Sequence, residues 1–193
     1  KLALKSANKF KAIAINDYKI ALKDKNVDVI FIASSTATHI KFIREAAEYK
    51  KTIFCEKPLD LDLKKIVNCS KYIKKFSPRI QIGFNRRYDP GHYYLKRSID
   101  QKKIGELQKI IITCRDPAPP SYAYLKTAGG IFKDMIIHDF DLIRFYLKND
   151  PIQEVFATTS DLSEYYKLFK SVKDYELATV VLKSKKGVLC TIN

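Results

Sequence analysis

The sequence predicts an α/β fold: the rear part of a doubly wound parallel sheet, followed by an α+β domain with an open antiparallel sheet. Two patterns carry that reading. Up to about Tyr88, short β-branched apolar runs alternate with segments of helical periodicity, the signature of strand-helix-strand units in a parallel sheet. After it the rhythm changes to longer strands and a hairpin, which imply antiparallel pairing. The expected division is therefore 1–88 and 89–193.

Residues 27–33 (VDVIFIA) are almost wholly apolar, the pattern of a strand covered on both faces. Residues 36–49 read as a helix with Ile40, Ile43 and Ala47 at helical spacing and Thr36 or Thr38 at its cap. Residues 52–55 follow as a second strand, 61–76 as a second helix with Leu63, Ile66, Val67 and Ile73 inward, and 80–83 as a third strand. In the second part, 89–101 reads as a helix, 106–115 as a long strand and 116–126 as a Pro- and Tyr-rich loop. One long helix is expected over 130–147, then a hairpin of 176–182 with 188–192 around the 184–187 turn.

Composition narrows the function classes. With 193 residues, 46% of them apolar, the chain can bury one sizeable core or two smaller ones. Its 36 Lys and Arg against 21 Asp and Glu give a formal charge of +15, a general field that attracts phosphates. The lysines are scattered in pairs such as Lys64-Lys65 and Lys185-Lys186, as on solvated faces, and no nucleic-acid module is recognisable, so no nucleic-acid partner is expected. Cys55, Cys69, Cys114 and Cys190 form no Cys-x-x-Cys pair, which argues against a zinc knuckle or a disulfide framework and for a reducing, cytoplasmic setting. No apolar run approaches the roughly 20 residues that span a bilayer, and KLALKSANKFK is too interrupted by charge for a secretory signal. Met135 is the only methionine, and GVLCTIN stops inside an expected strand, so both ends are expected to be cut.

Three places carry chemistry. On the apolar helix IFKDMIIHDFDLIRFYL, Asp134, His138 and Asp141 fall at i, i+4 and i+7, on one face. Such a stripe is either an internal Asp-His pair that fixes helix packing, or a base in which Asp134 orients His138 for proton exchange with an alcohol. Two Asp and one His on one helix lack the ligand set of a zinc site, so no metal is expected. Glu56-Lys57-Pro58 follows a strand; strand ends of a parallel sheet face the ligand crevice, where a Lys polarises a hydroxyl or carbonyl, although the bland alternative is a loop lysine. The hydroxyl-rich turn Ser34-Ser35-Thr36-Ala37-Thr38-His39 suits contact with a ribose and equally suits helix capping.

In their order, VDVIFIASSTATH, IFCEKPLDL, QIGFNRRYDP, RDPAPP and GGIFKDMIIHDFD resemble the glucose-fructose oxidoreductase, inositol dehydrogenase and MocA family, from residue 10 onward, and most closely its inositol 2-dehydrogenase branch. Glu-Lys-Pro and the Asp-x-x-x-His helix are strong together; GFNRRYDP and RDPAPP are moderately specific. The resemblance implies a Rossmann-type parallel sheet, an NAD cofactor with NADP as the alternative, and hydride transfer from a secondary alcohol of myo-inositol or a related polyol or sugar. It makes Lys57, Asp134 and His138 the catalytic trio, with His138 the proton acceptor, and implies a cis peptide before Pro58. It matches Ser35, Thr36, His39 and Glu56 to the nicotinamide and ribose lining, and Asp116 and Asp141 to hydroxyl binding. It implies a homo-oligomer formed through the second domain's sheet. The family's glycine fingerprint has no counterpart, since the six glycines lie at 83, 91, 105, 129, 130 and 187, so the 193-residue chain alone is expected to be inactive. Three rivals remain: a relative acting on another sugar or a dihydrodiol, a non-catalytic binding protein that keeps the fold, and a basic nucleic-acid module.

Overall fold

The computed structural model describes residues 2–162 and 164–193. It forms two compact units, one running to Gly83 and the other from Phe84 to Asn193.

The first unit contains α1 (Leu2–Phe10), α2 (Tyr18–Lys23), β1 (Val29–Ile32), α3 (Thr36–Glu48), β2 (Thr52–Cys55), α4 (Leu63–Ile73) and β3 (Ile80–Ile82). Its sheet runs β1-β2-β3, all parallel, with Ile30, Ile53 and Ile80 in register. Ile32, Ile53 and Cys55 are buried with Ile43, Ala46 and Ala47 of α3 and Cys69 of α4, which makes one apolar layer between sheet and helices. The opposite face carries Val29 and Phe31, 54% and 63% exposed, with Phe31 stacked on Phe54 at 4.4 Å. The expectation of a first strand covered on both faces therefore does not hold within this chain, because the helices whose core residues meet this sheet pack on the other side. On α4 the inward stripe is Ile66, Cys69 and Ile73; Leu63 and Val67, expected inward, are exposed because that stripe centres a quarter turn or more away from them.

The second unit contains α5 (Pro90–Asp100), β4 (Lys109–Ile112), α6 (Tyr122–Ala128), α7 (Ile131–Asp134), α8 (Ile137–Leu147), β5 (Ile152–Ser160), α9 (Tyr166–Ser171), β6 (Leu177–Ser184) and β7 (Leu189–Ile192). The sheet order is β4-β7-β6-β5: β5, β6 and β7 pair antiparallel, while β4 joins β7 in parallel, so the sheet is mixed. Alternation sends Ala178, Val180, Leu182, Cys190 and Ile192 inward onto Ile136, Leu142, Ile143, Tyr146 and Leu147. Asp150, buried at the end of α8, accepts from Ser184 Oγ at 2.6 Å and from the Lys186 amide at 3.0 Å, which fixes the β6-β7 turn.

Several expectations need correction here. The strand expected over 106–115 shrinks to the four residues of β4, which is all that β7 offers as a ladder. Part of the expected 116–126 loop is helix α6, because Ser121 Oγ accepts from the Tyr124 amide at its start and Gly129, at φ 93°, ends it. The single helix expected over 130–147 is two helices. The Ile136 amide reaches back five residues to Ile131 O at 2.9 Å, and the His138 and Asp139 amides reach back only three, so the winding breaks at Met135-Ile136.

Six non-glycine residues among those described take positive φ, and five are lysines just past a helix: Lys11, Lys50, Lys102, Lys148 and Lys173. A side chain there carries a steric cost that glycine avoids. Lys50→Gly is expected to raise stability by about 0.5–1 kcal/mol, read as a higher urea midpoint at unchanged slope. An unchanged or lower midpoint means that the lysine's interaction with the end of α3 outweighs the strain.

Candidate active site

In the first unit the parallel register sends the ends of β1, β2 and β3 to one edge. The ladder continues one step past β2, where the Glu56 amide donates to Ile32 O at 2.9 Å and the Gly83 amide to Cys55 O at 2.8 Å. Glu56 lies over Gly83: a Cβ on Gly83 would stand 2.9 Å from Glu56 Oε2, so the residue that faces Glu56 has no room for a side chain. Lys57 comes next, half-buried, and the Lys57-Pro58 peptide is cis. Cys55 just before it is no nucleophile, since burial, followed by the Glu56 charge, pushes its thiol up to about 12.

The turn after β1 is organised by its hydroxyls. Ser35, not Thr36 or Thr38, takes the cap position of α3, and its side chain makes no capping bond. Thr38 Oγ1 donates to Ser35 O at 2.7 Å, which leaves Ser34 Oγ to donate to Thr38 Oγ1 at 2.6 Å. Thr36 opens the helix, half-buried. His39 departs from its expected place in a ligand lining: it is 1% exposed, with Nδ1 2.8 Å from Pro58 O and Nε2 2.9 Å from Ser34 O. Both ring nitrogens are turned to the backbone, because one turn into α3 the side chain points into the core.

In the second unit a cavity of about 420 Å³ is walled by the loop 114–120, the Gly130-Ile131 turn, Asp134 to Ile136 and residues 174–179. It brings Asp116 and Asp134 to one space; His138 and Asp141 are not in its wall. Asp134, the last residue of α7, accepts from Tyr124 Oη at 2.9 Å. Burial, and then this bond, push the Tyr124 hydroxyl up to about 12. His138 sits in the first turn of α8, with the Phe84 ring edge-on at 6.3 Å. Asp141, expected to bind a hydroxyl, is instead held by Arg87, whose Nε and Nη2 reach its two oxygens at 2.7 and 2.5 Å. Asp134 ends α7 while His138 and Asp141 lie on α8, so the three do not share one continuous helix.

The sequence reading missed Tyr124, Arg86, Arg87 and Asp139. Asp139 is fully buried and paired with Arg86, which also touches Cys114 Sγ at 3.4 Å. Burial raises the Asp139 carboxyl above its ordinary range, and Arg86 pulls it back. The signal was present in the doubled arginine of GFNRRYDP, answered by Asp139 and Asp141 two residues apart.

Residues 92–193 match the GFO/IDH/MocA C-terminal domain, and residues 1–84 match the oxidoreductase family with an NAD-binding Rossmann fold. The chain belongs to the GFO/IDH/MocA oxidoreductase family. It is 40% identical to inositol 2-dehydrogenase of Rhizobium meliloti (strain 1021) over 84% of the chain and 48% of that protein. It is 39% identical to myo-inositol 2-dehydrogenase of Thermotoga maritima over 93% of the chain and 53% of that protein. The structure of scyllo-inositol dehydrogenase from Lactobacillus casei with NAD(H) and scyllo-inositol bound superposes with a TM-score of 0.83 at 28% identity, covering 98% of this chain and 57% of that one. The chain spans about half the length of the curated relatives it matches.

The family implies NAD, and the residues present fit one end of it. Ser35 does not spend its hydroxyl on capping, and it stands with Glu56 at the edge where the parallel strands end, where a nicotinamide ribose would lie. None of the six glycines forms the closely spaced set that cradles a pyrophosphate, so these residues would fit the nicotinamide end and not the pyrophosphate.

A double-mutant cycle on Arg87→Ala and Asp141→Ala checks the assignment of Asp141. The expected coupling is about 1 kcal/mol, modest because Arg87 is part-exposed. In the full-length oxidoreductase the substrate KM should stay near wild type in Asp141→Ala; a large rise in KM with no coupling would return Asp141 to substrate binding.

Proposed function

We propose that the protein containing this chain oxidises a secondary alcohol of myo-inositol or a related polyol, with NAD as hydride acceptor. The observation that carries the reading is the 39–40% identity to inositol 2-dehydrogenases over most of the chain, in a sequence that keeps Lys57, Asp134 and His138. In this reading residues 1–88 belong to the cofactor-binding domain, and 89–193 to the domain for substrate and oligomerisation.

The roles follow from chemistry. NAD supplies the two-electron acceptor that takes the carbinol hydride. His138, whose ordinary range is near neutrality, takes the hydroxyl proton, and Asp134 steadies the positive charge that the imidazole then acquires. Lys57 donates to the oxygen as it gains alkoxide character. Ser35, Thr36 and Glu56 border the nicotinamide ribose, and His39 acts from behind them. Asp116 and Asp134, walls of one cavity, provide acceptors for polyol hydroxyls, and Tyr124 keeps one oxygen of Asp134 oriented. The protein acts as a homo-oligomer through the outer face of the second sheet, where Ile111, Phe156 and Val181 are exposed on one face around Thr191.

The deciding experiment is NAD reduction by the full-length protein with myo-inositol, scyllo-inositol and glucose in parallel. Turnover with an inositol well above glucose is expected; turnover with glucose alone would move the enzyme to another branch of the family. His138→Ala should lower kcat by about 10²- to 10⁴-fold with little change in NAD affinity. A variant with normal kcat would make His138 a packing residue. Lys57→Met keeps most of the apolar stem but removes the charge, so melting should stay near wild type while kcat drops by about 10²- to 10³-fold. A folded, fully active Lys57→Met would remove the Glu-Lys-Pro turn from the active site.

A further inference from the structure

We infer that His39 is a positioning residue that ties the Lys57 turn to the Ser34 turn through both of its ring nitrogens. The inference rests on the reading of Lys57 as the group that polarises the reacting oxygen.

Four observations carry it. The ring is 1% exposed, and a polar group taken out of water costs free energy unless it is hydrogen-bonded. Its two nitrogens meet the carbonyls of Pro58 at 2.8 Å and Ser34 at 2.9 Å, which belong to the turns that follow neighbouring parallel strands. The last ladder bond before Lys57 is the Glu56 amide to Ile32 O at 2.9 Å. The next anchor is the Pro58 carbonyl on His39, so the backbone of Lys57 is fixed on one side by β1 and on the other by α3. An apolar side chain of the same size would fill the space and make neither bond. Both oxygens only accept, so both contacts are hydrogen bonds when each ring nitrogen carries a proton, and a neutral ring keeps one of them.

Residues that act only by filling space do not respond to the replacement of a donor by a donor. That separates the two roles. The full-length oxidoreductase should be compared as wild type, His39→Leu, His39→Gln and Lys57→Met, by amide hydrogen exchange over 33–36 and 56–60 and by kcat and KM. In His39→Leu, exchange at both turns should quicken by about tenfold, the effect of losing an ordinary hydrogen bond. Its kcat should drop by up to about 10²-fold, as for a misplaced catalytic group, with the polyol KM changed much less. His39→Gln, whose amide carries two hydrogens, should recover part of both. A folded His39→Leu with unchanged exchange and kcat overturns the inference, as does a folded His39→Gln that recovers neither. If His39→Leu does not fold, His39→Gln decides alone: slow exchange at both turns with most of kcat retained supports the tie, and fast exchange overturns it. Should the wild type oxidise no polyol, or Lys57→Met be fully active, the reading of Lys57 fails, while the exchange rates still decide whether His39 ties the turns.

Discussion

A parallel ladder sends the C-terminal ends of its strands to one edge, and every candidate residue of the first unit depends on that constraint. The register that pairs Ile30 with Ile53 and Ile80 also sets Ile32 beside Cys55 and Ile82. The turns that carry Ser34, Glu56 and Gly83 therefore begin level with one another. A slip of one residue in β2 would expose Ile53 and Cys55, which are 1% and 0% exposed, and would turn Phe54 into the core. Apolar burial thus holds the register, and the register holds the turns. His39 adds the cross-tie that a ladder cannot supply, since hydrogen bonding between strands ends before Lys57.

The second unit faces a different constraint. Helix α8 is buried on most sides, yet it carries Asp139 and Asp141, and an unpaired buried carboxylate costs several kcal/mol. The segment around Phe84 to Asp89 answers that cost. Arg86 meets Asp139, Arg87 grips Asp141 with two bonds, Phe84 stands edge-on to His138, and Asp89 caps α5 at Gly91 and His92. One short stretch therefore positions two helices, and the orientation of His138 follows from pairs outside the proposed catalytic trio. Asp141 read alone suggests a ligand, but in the structure Asp139 and Asp141 both pair with arginines that seat the helix of His138.

How much was legible depended on whether the signal was periodic. β2 was read to the residue, and the β6-β7 hairpin nearly so, because burial alternates along Leu177–Ser184 and a Gly187 turn separates the two strands. β5 left no trace: it is the sheet's edge strand, and most of its residues face solvent, so its sequence IQEVFATTS shows no alternation. The break between α7 and α8 was also silent, since Met135 and Ile136 are ordinary helix residues. At the start of α7 Asp174 accepts the Ile131 amide at 2.9 Å and would stand 2.8 Å from a Cβ on Gly130, a contact that no spacing in the sequence announces. The candidate site residues stood out as types, through Glu-Lys-Pro and Asp-x-x-x-His. Their partners did not, because Tyr124, Arg86 and Arg87 are joined to them by the fold and not by spacing.

The surplus of positive charge has a local explanation in part. Lys11, Lys50, Lys102, Lys148 and Lys173 each stand just past a helix, in backbone conformations where glycine or asparagine is the usual choice. A lysine there opposes the negative end of the helix dipole, typically a gain of about 0.3–1 kcal/mol. That offsets part of the steric cost of positive φ and leaves the charge on the surface. Lysine placed by helix ends follows the helices wherever they finish, and a chain with many short helices accumulates it all round. The formal charge of +15 therefore reports, to that extent, how often the chain turns. A basic groove built to hold a polyanion would instead place its lysines by the path of the ligand, side by side across different elements.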